Sequence, residues 1–202
     1  MVTAAASERY ILSFTVGGLY LQNASLVARL YRDLGDWSAV RRELDSSNLL
    51  QARTVSSAKR HGQEVVQRLQ HLSDAELEIL TEATADERAQ LMWVAACRRY
   101  ALIAEFAEEV LRERFLLMAP DVTSEHFDAF VRGKTLWHPE LTGLEESTLR
   151  RLRSNLFLMM REGDFVTEQG LIAPTVLSSR VRDELARRVP ADIRFFATRE
   201  AA

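Results

Sequence analysis

The sequence has 202 residues, with 26 Lys and Arg against 29 Asp and Glu for a formal charge of -3, and 47% of it is hydrophobic. That is enough apolar material for a core in one domain or two small ones, and it excludes disorder, a collagen-like repeat and, with Cys97 as the single cysteine, a disulfide scaffold. The slightly acidic balance excludes a protein that coats nucleic acid indiscriminately and leaves room for a local basic face. Eight Gly and four Pro supply little turn material, which favours long helices over a many-stranded sheet.

No residue from Tyr10 to Ala28 is charged, a run close to the length of a membrane span. It contains Ser13, Thr15, Gln22, Asn23 and Ser25, each of which would cost about 1 kcal/mol or more in hydrocarbon. Glu8 stands where a signal peptide carries its cations, so a soluble, cytoplasmic protein is expected. Asn23 or Ser25 is the predicted cap of a first helix ending at Gly35, and Asp36 caps a second from Trp37 to about Leu44. The polar cluster Asp45-Ser46-Ser47-Asn48 makes the turn into a third helix, about Thr54 to Leu72, whose stripe is Val55, Ala58, Gly62, Val65, Leu69 and Leu72. Ala58 and Gly62 on that stripe would let another helix approach closely. Ser73-Asp74-Ala75-Glu76 reads as a capping box opening a helix to about Ala83.

Asp86 starts the longest predicted helix, which runs to about Met118 before Pro120 and forms the centre of the bundle. A short helix capped by Thr123 or Ser124 carries Phe127, Phe130 and Val131, and Trp137-His138-Pro139-Glu140 is read as a packed loop. Glu145 to Glu162 is helical with Gly163 ending it. Phe165-Val166-Thr167 and Leu171-Ile172-Ala173 flank a Gly-containing turn as a β-hairpin. A last helix is predicted from about Ser179 to Val189, with a loose end beyond. The whole is a mainly α helical bundle with an N-terminal helix-turn-helix region (1–85), a central long helix packing both halves (86–120) and a C-terminal winged-helix-like region with one small β-hairpin (121–202).

Catalytic motifs are absent: there is no Gly-rich phosphate loop, no Gly-x-Ser-x-Gly and no His-Glu-x-x-His, while His61, His71, His126 and His138 are scattered. Glu105, Glu108 and Glu109 read as a solvated face paired with Arg112, and Cys97 as a small buried hydrophobe. The expectation is a protein without catalytic residues, cofactor, metal or small-molecule substrate. The Asp36 to Leu72 unit, in contrast, has the layout that lays a recognition helix in the DNA major groove. Between Gln51 and Gln70, Arg53, Lys59, Arg60 and Arg68 face only Glu64, a local charge of +3, and Ser56 and Ser57 add phosphate donors near a helix N-terminus. Gln51 and Thr54 stand at the start of that helix, equally placed for DNA contact and for capping. Arg150, Arg151 and Arg153 form a secondary patch, although the proposed wing tip, Glu168-Gln169, carries no cation. Arg180, Arg182, Arg187 and Arg188 are interrupted by Asp183 and Glu184 and read as surface ion pairs. Ser73 to Gln90 is acidic.

Four segments carry a resemblance: Phe14-Thr15-Val16-Gly17-Gly18-Leu19, Leu34-Gly35-Asp36-Trp37, Asn48-Leu49-Leu50-Gln51-Ala52-Arg53-Thr54 and Trp137-His138-Pro139-Glu140. Together they resemble the BrxA family over roughly residues 11 to 175. The resemblance implies a non-enzymatic, mainly helical small subunit of the BREX bacteriophage-defence systems that binds double-stranded DNA, with a helical core similar to the antitermination factor NusB. It implies other BREX defence subunits as partners and supplies no catalytic residues. A scaffold joining larger defence proteins and an RNA-binding protein remain the alternatives.

Overall fold

A computed structural model describes residues 9–15, 17–47, 49–50 and 54–199, which are mainly helical and divide into two compact units, each assembled from separate stretches of chain. One contains residues 19–99 and 176–193; the other contains residues 100–175 with segments ending at residue 18 and starting at residue 194.

In the first unit, α1 (Leu21–Leu34) opens with Tyr20 in the left-handed region at φ 58°, not at Asn23 or Ser25. Gly35, at φ 66°, closes it, donating to the Tyr31 carbonyl at 2.8 Å. Asp36 caps α2 (Trp37–Ser47) by accepting from the Ser38 and Ala39 amides, at 3.1 and 2.9 Å. Thr54 caps α3 (Val55–Leu69), and Ser73 with Glu76 forms the capping box of α4 (Asp74–Thr81). α5 (Ala85–Arg99) is the hydrophobic axis, with Leu91 to Cys97 buried on every side. α11 (Ser179–Leu185) packs on α4 and α5. Gly62 lies against α2, yet a β-carbon there would sit 3.5 Å from Leu50, an ordinary contact, so the approach does not require glycine.

An ionic cluster is buried in this unit. The Arg98 guanidinium donates to both Glu76 oxygens (2.5 and 2.6 Å), to Asp192 (2.7 Å) and to the His71 carbonyl (2.9 Å). Burial alone would raise the Glu76 pKa, but Arg98 and the Ser73 cap outweigh it and hold the carboxyl below its ordinary value.

The second unit begins where the expected single helix from Asp86 to Met118 fails. Tyr100 leaves helical geometry at φ -120°, ψ 95°, and the chain resumes as α6 (Ala101–Phe106), a π-helical turn (Ala107–Arg112) and α7 (Glu113–Leu116). No Gly or Pro marks the break. Packing makes it: the fully buried Tyr100 ring meets Phe14 at 5.1 Å between centroids. α8 (Ser124–Lys134), capped by Thr123, and α10 (Glu146–Glu162) follow, with α9 (Pro139–Thr142) formed inside the stretch read as a loop. Phe106 centres an aromatic cluster with Phe127, Phe130 and Phe157.

The expected hairpin does not form as two strands. Among the described residues, only isolated antiparallel bridges join Val166 to Ile172 and Asp121 to Leu171. The 171–172 stretch divides its pairing between two neighbours, with Ile172 donating to the Pro120 carbonyl and Thr167 to the Leu171 carbonyl, each at 2.9 Å. Neither ladder grows beyond one bridge. Residues 195–198 are not loose either: Phe195, Phe196, Ala197 and Thr198 are buried, with Phe196 edge-on to Phe165 at 5.6 Å.

Candidate nucleic-acid interface

The N-terminal half of α3 presents its polar groups to solvent. Thr54 Oγ1 accepts from the Ser57 amide at 3.1 Å and donates to Ser57 Oγ at 2.8 Å, so its capping role is realised. Ser56 is exposed, its hydroxyl 3.2 Å from that of Thr54. Lys59 and Arg60 are exposed and have no acidic partner among the described residues. Gln51 and Arg53 lie outside the described residues.

Arg68, counted in the local charge of this segment, is not available to a ligand. It is fully buried, donates to Glu64 at 3.0 Å and lies over the Tyr20 ring at 5.0 Å. The hydrophobic face of α3 is wider than its stripe, taking in Val66 as well as Arg68.

On α10, in the other unit, Arg150, Arg151 and Arg153 do not act alike. Arg153 donates to Asp128 at 2.6 Å and fixes α10 to α8. Arg150 has a loose, exposed i,i+4 pair with Glu146 at 3.8 Å. Arg151 is exposed with no ion-pair partner among the described residues. Arg150 and Arg151 border an open depression of about 450 Å³ together with Ser147, Ser154, Thr15 and the buried Asn155, whose amide donates to the Phe14 carbonyl at 2.9 Å. Ser147 and Ser154 were missed in the sequence, although the spacing 147, 151, 154 gives one helical face. Thr15 comes from a distant segment with no periodic signal. Arg161 pairs with Glu168 at 3.4 Å on the proposed wing tip.

Other polar groups read in the sequence have structural partners. Glu105 and Glu109 both pair with Lys134, and Glu105 accepts from the Tyr10 hydroxyl at 2.6 Å, while Glu108 pairs with Arg194 at 3.1 Å. His138 is buried, stacked on Tyr10 at 3.6 Å and 3.1 Å from Glu140, whereas Trp137 beside it is 68% exposed and not packed. Arg182 and Arg187 make the expected pairs with Asp183 and Glu184, but Arg180 binds Glu87 and Arg188 faces Asp192. Cys97 is buried and unbonded to another cysteine. Among the described residues, no helix is long and apolar enough to cross a membrane, and no group of three or more His, Cys, Asp or Glu is placed to hold a metal ion.

These features define a mainly helical protein of two compact units with cations displayed on exposed helix faces. The same fold occurs in the crystal structure of an uncharacterized protein from Magnetospirillum magneticum, at a TM-score of 0.83 and 20% identity over 94% of this chain and 100% of that one. The BrxA family model matches residues 8–189, and the chain belongs to the BrxA family. It is 23% identical over 150 residues to the BREX protein BrxA of Escherichia coli O9:H4 (strain HS), covering 74% of this chain and 70% of that one. It is 22% identical over 163 residues to the BREX protein BrxA of Paramagnetospirillum magneticum AMB-1, covering 81% of this chain and 82% of that one.

Proposed function

We propose that this protein is a double-stranded DNA-binding component of a BREX phage-defence system, acting in the cytoplasm and without catalysing a reaction. Membership of the BrxA family and the names of its relatives support the system. The observation that carries DNA binding is the exposed start of α3, where Lys59 and Arg60 lack acidic partners among the described residues and follow a helix N-terminus whose dipole favours phosphate. In this reading α2 and α3 form a helix-turn-helix with α3 in the major groove. Lys59, Arg60 and Arg53 neutralise phosphates, and Ser56, Ser57, Thr54 and Gln51 act as neutral partners.

The segment from α8 to the turn at 166–172 acts as a winged-helix-like unit, with Arg150, Arg151 and Arg153 on or beside its DNA-facing surface. The neutral hydroxyls beside Arg150 and Arg151 suit phosphate oxygens better than an acidic partner. The test is a titration of duplex DNA against salt. Affinity is expected to fall with a log-log slope of about 0.9 per neutralised phosphate. The double substitution Lys59→Glu and Arg60→Glu should abolish binding and leave the fold intact. A flat salt response, undetectable binding, or stronger binding to single-stranded RNA would overturn the reading.

A further inference from the structure

The outward face of α4 has the opposite character to α3. Its inward residues, Leu77 and Leu80, are buried, and Glu76 is consumed by Arg98 and the Ser73 cap. Outward, Asp74, Glu78 and Glu82 repeat every fourth position and are exposed, forming an acidic ridge along the helix. A depression lies on each side of this ridge. The one towards α1, about 280 Å³, is floored by Ala28, Tyr31 and Leu77 and edged by Asp74 and Glu78. The one towards α11, about 440 Å³, has Ala75 and Ile79 on its wall, with Glu78, Glu82, Asp183 and Glu184 around it and Arg180 and Arg187 among them.

The guanidiniums nearby take up only part of this charge. Arg187 pairs with Glu184 at 3.2 Å and Arg182 with Asp183 at 3.6 Å, but Arg180 is committed to Glu87 at 2.6 Å, and Arg32 reaches Glu78 only at 3.9 Å while also facing Asp33, so the ridge of Asp74, Glu78 and Glu82 keeps its charge. An acidic ridge between two partly apolar hollows suits long cationic side chains, whose methylene stems cover Leu77 or Ile79 while their heads meet the carboxylates. Polyanionic DNA is repelled by the same face.

We propose that the α4 face is the docking site for a basic helical segment of a protein partner, with Lys or Arg repeating every fourth residue. That the partner is another subunit of the defence system rests on the proposed function; the chemistry of the surface does not.

The test uses the full chain and a fluorescein-labelled amphipathic helical peptide with Lys at every fourth position, read by fluorescence anisotropy beside the same peptide with Glu in place of Lys. The Lys peptide should bind and the Glu peptide should not. Asp74→Asn, Glu78→Gln and Glu82→Gln together should weaken binding by about tenfold or more, whereas the charge-matched control Glu43→Gln, Asp45→Asn and Glu113→Gln should retain it. The charge-reversed Glu78→Lys, Glu82→Lys chain should instead capture the Glu peptide, a gain that misfolding does not produce. Absence of Lys-peptide binding, or equal loss in the control variant, overturns the proposal. Duplex DNA binding should persist in the α4 variants and be lost in the Lys59 and Arg60 variant, so failure of either reading is seen separately.

Discussion

Arg98 and Asp192 are 94 positions apart in sequence, and their side chains meet at 2.7 Å in a buried ion pair. The contact ties the segment after α11 to the end of α5, and Glu76 completes the cluster on the other side of the guanidinium. Removing the cation leaves two buried carboxylates facing each other. Arg98→Ala should therefore destabilise the protein by about 3–5 kcal/mol, since the loss of one buried partner costs far more than the intact cluster contributes. Urea denaturation at neutral pH measures this, and a loss below 1 kcal/mol, roughly that of a surface pair, would show that the cluster is solvated.

Acid should weaken the contact between α11 and α5. The Arg180 guanidinium, with the Thr84 amide and the Ser178 hydroxyl, holds the Glu87 carboxyl down at about 2, against an ordinary 4.5. A carboxyl whose folded pKa is depressed stabilises the fold above its unfolded value, and that contribution is lost as the pH falls through the window from 4.5 towards about 2. Thermal melts over this range should show a steeper decline for the natural chain than for Glu87→Gln, which is less stable at neutral pH and loses only what Glu76 and the other depressed carboxyls contribute in that window. Parallel curves would contradict the assignment.

Gly62 is a helical glycine without a steric demand for one. Its β-carbon position clears Leu50 and Leu44 by 3.5 and 3.7 Å, and no positive φ is involved. Gly62→Ala should raise stability by about 0.5–1 kcal/mol through helix propensity and a less flexible unfolded chain. A higher denaturation midpoint at unchanged slope is the expected result.

Neighbouring arginines on α10 should separate structure from binding. Arg153→Ala breaks the 2.6 Å pair with Asp128, whose Oδ1 is already a buried acceptor without a hydrogen bond, and should cost about 1–3 kcal/mol of stability. Arg151→Ala removes an exposed side chain and should leave stability within about 0.5 kcal/mol while lowering DNA affinity and the salt slope by about one phosphate. Chemical denaturation and a salt titration of each variant give the comparison.

Much of the helical layout was legible because it is local. Gly35, Asp36, Thr54, the Ser73-Glu76 box and Gly163 all stand at or beside the helix ends they marked. What escaped was tertiary. The break at Tyr100 follows from its packing on Phe14, and the single bridges at 166–172 follow from a stretch that divides its pairing, Ile172 donating to the Pro120 carbonyl and Gly170 accepting from the Val122 amide. In the candidate interface, exposure of Ser56, Lys59, Arg60 and Arg151 followed the helical pattern. The burial of Arg68 did not, because a cation held by Glu64 and laid over the face of Tyr20 has no signature in periodicity. Ile193, Phe195 and Phe196 at the end of the chain were a signal of burial that the scarcity of helical pattern there obscured.

The interleaving of the two units bears on how the protein can be cut. Residues 176–193 complete the unit built on α1–α5, supplying Asp192 to Arg98 and Arg180 to Glu87. A truncation placed after α10 therefore strips that unit of both partners and leaves Glu76, Arg98 and Glu87 with buried charges to satisfy. Neither unit can be excised as one continuous stretch of chain.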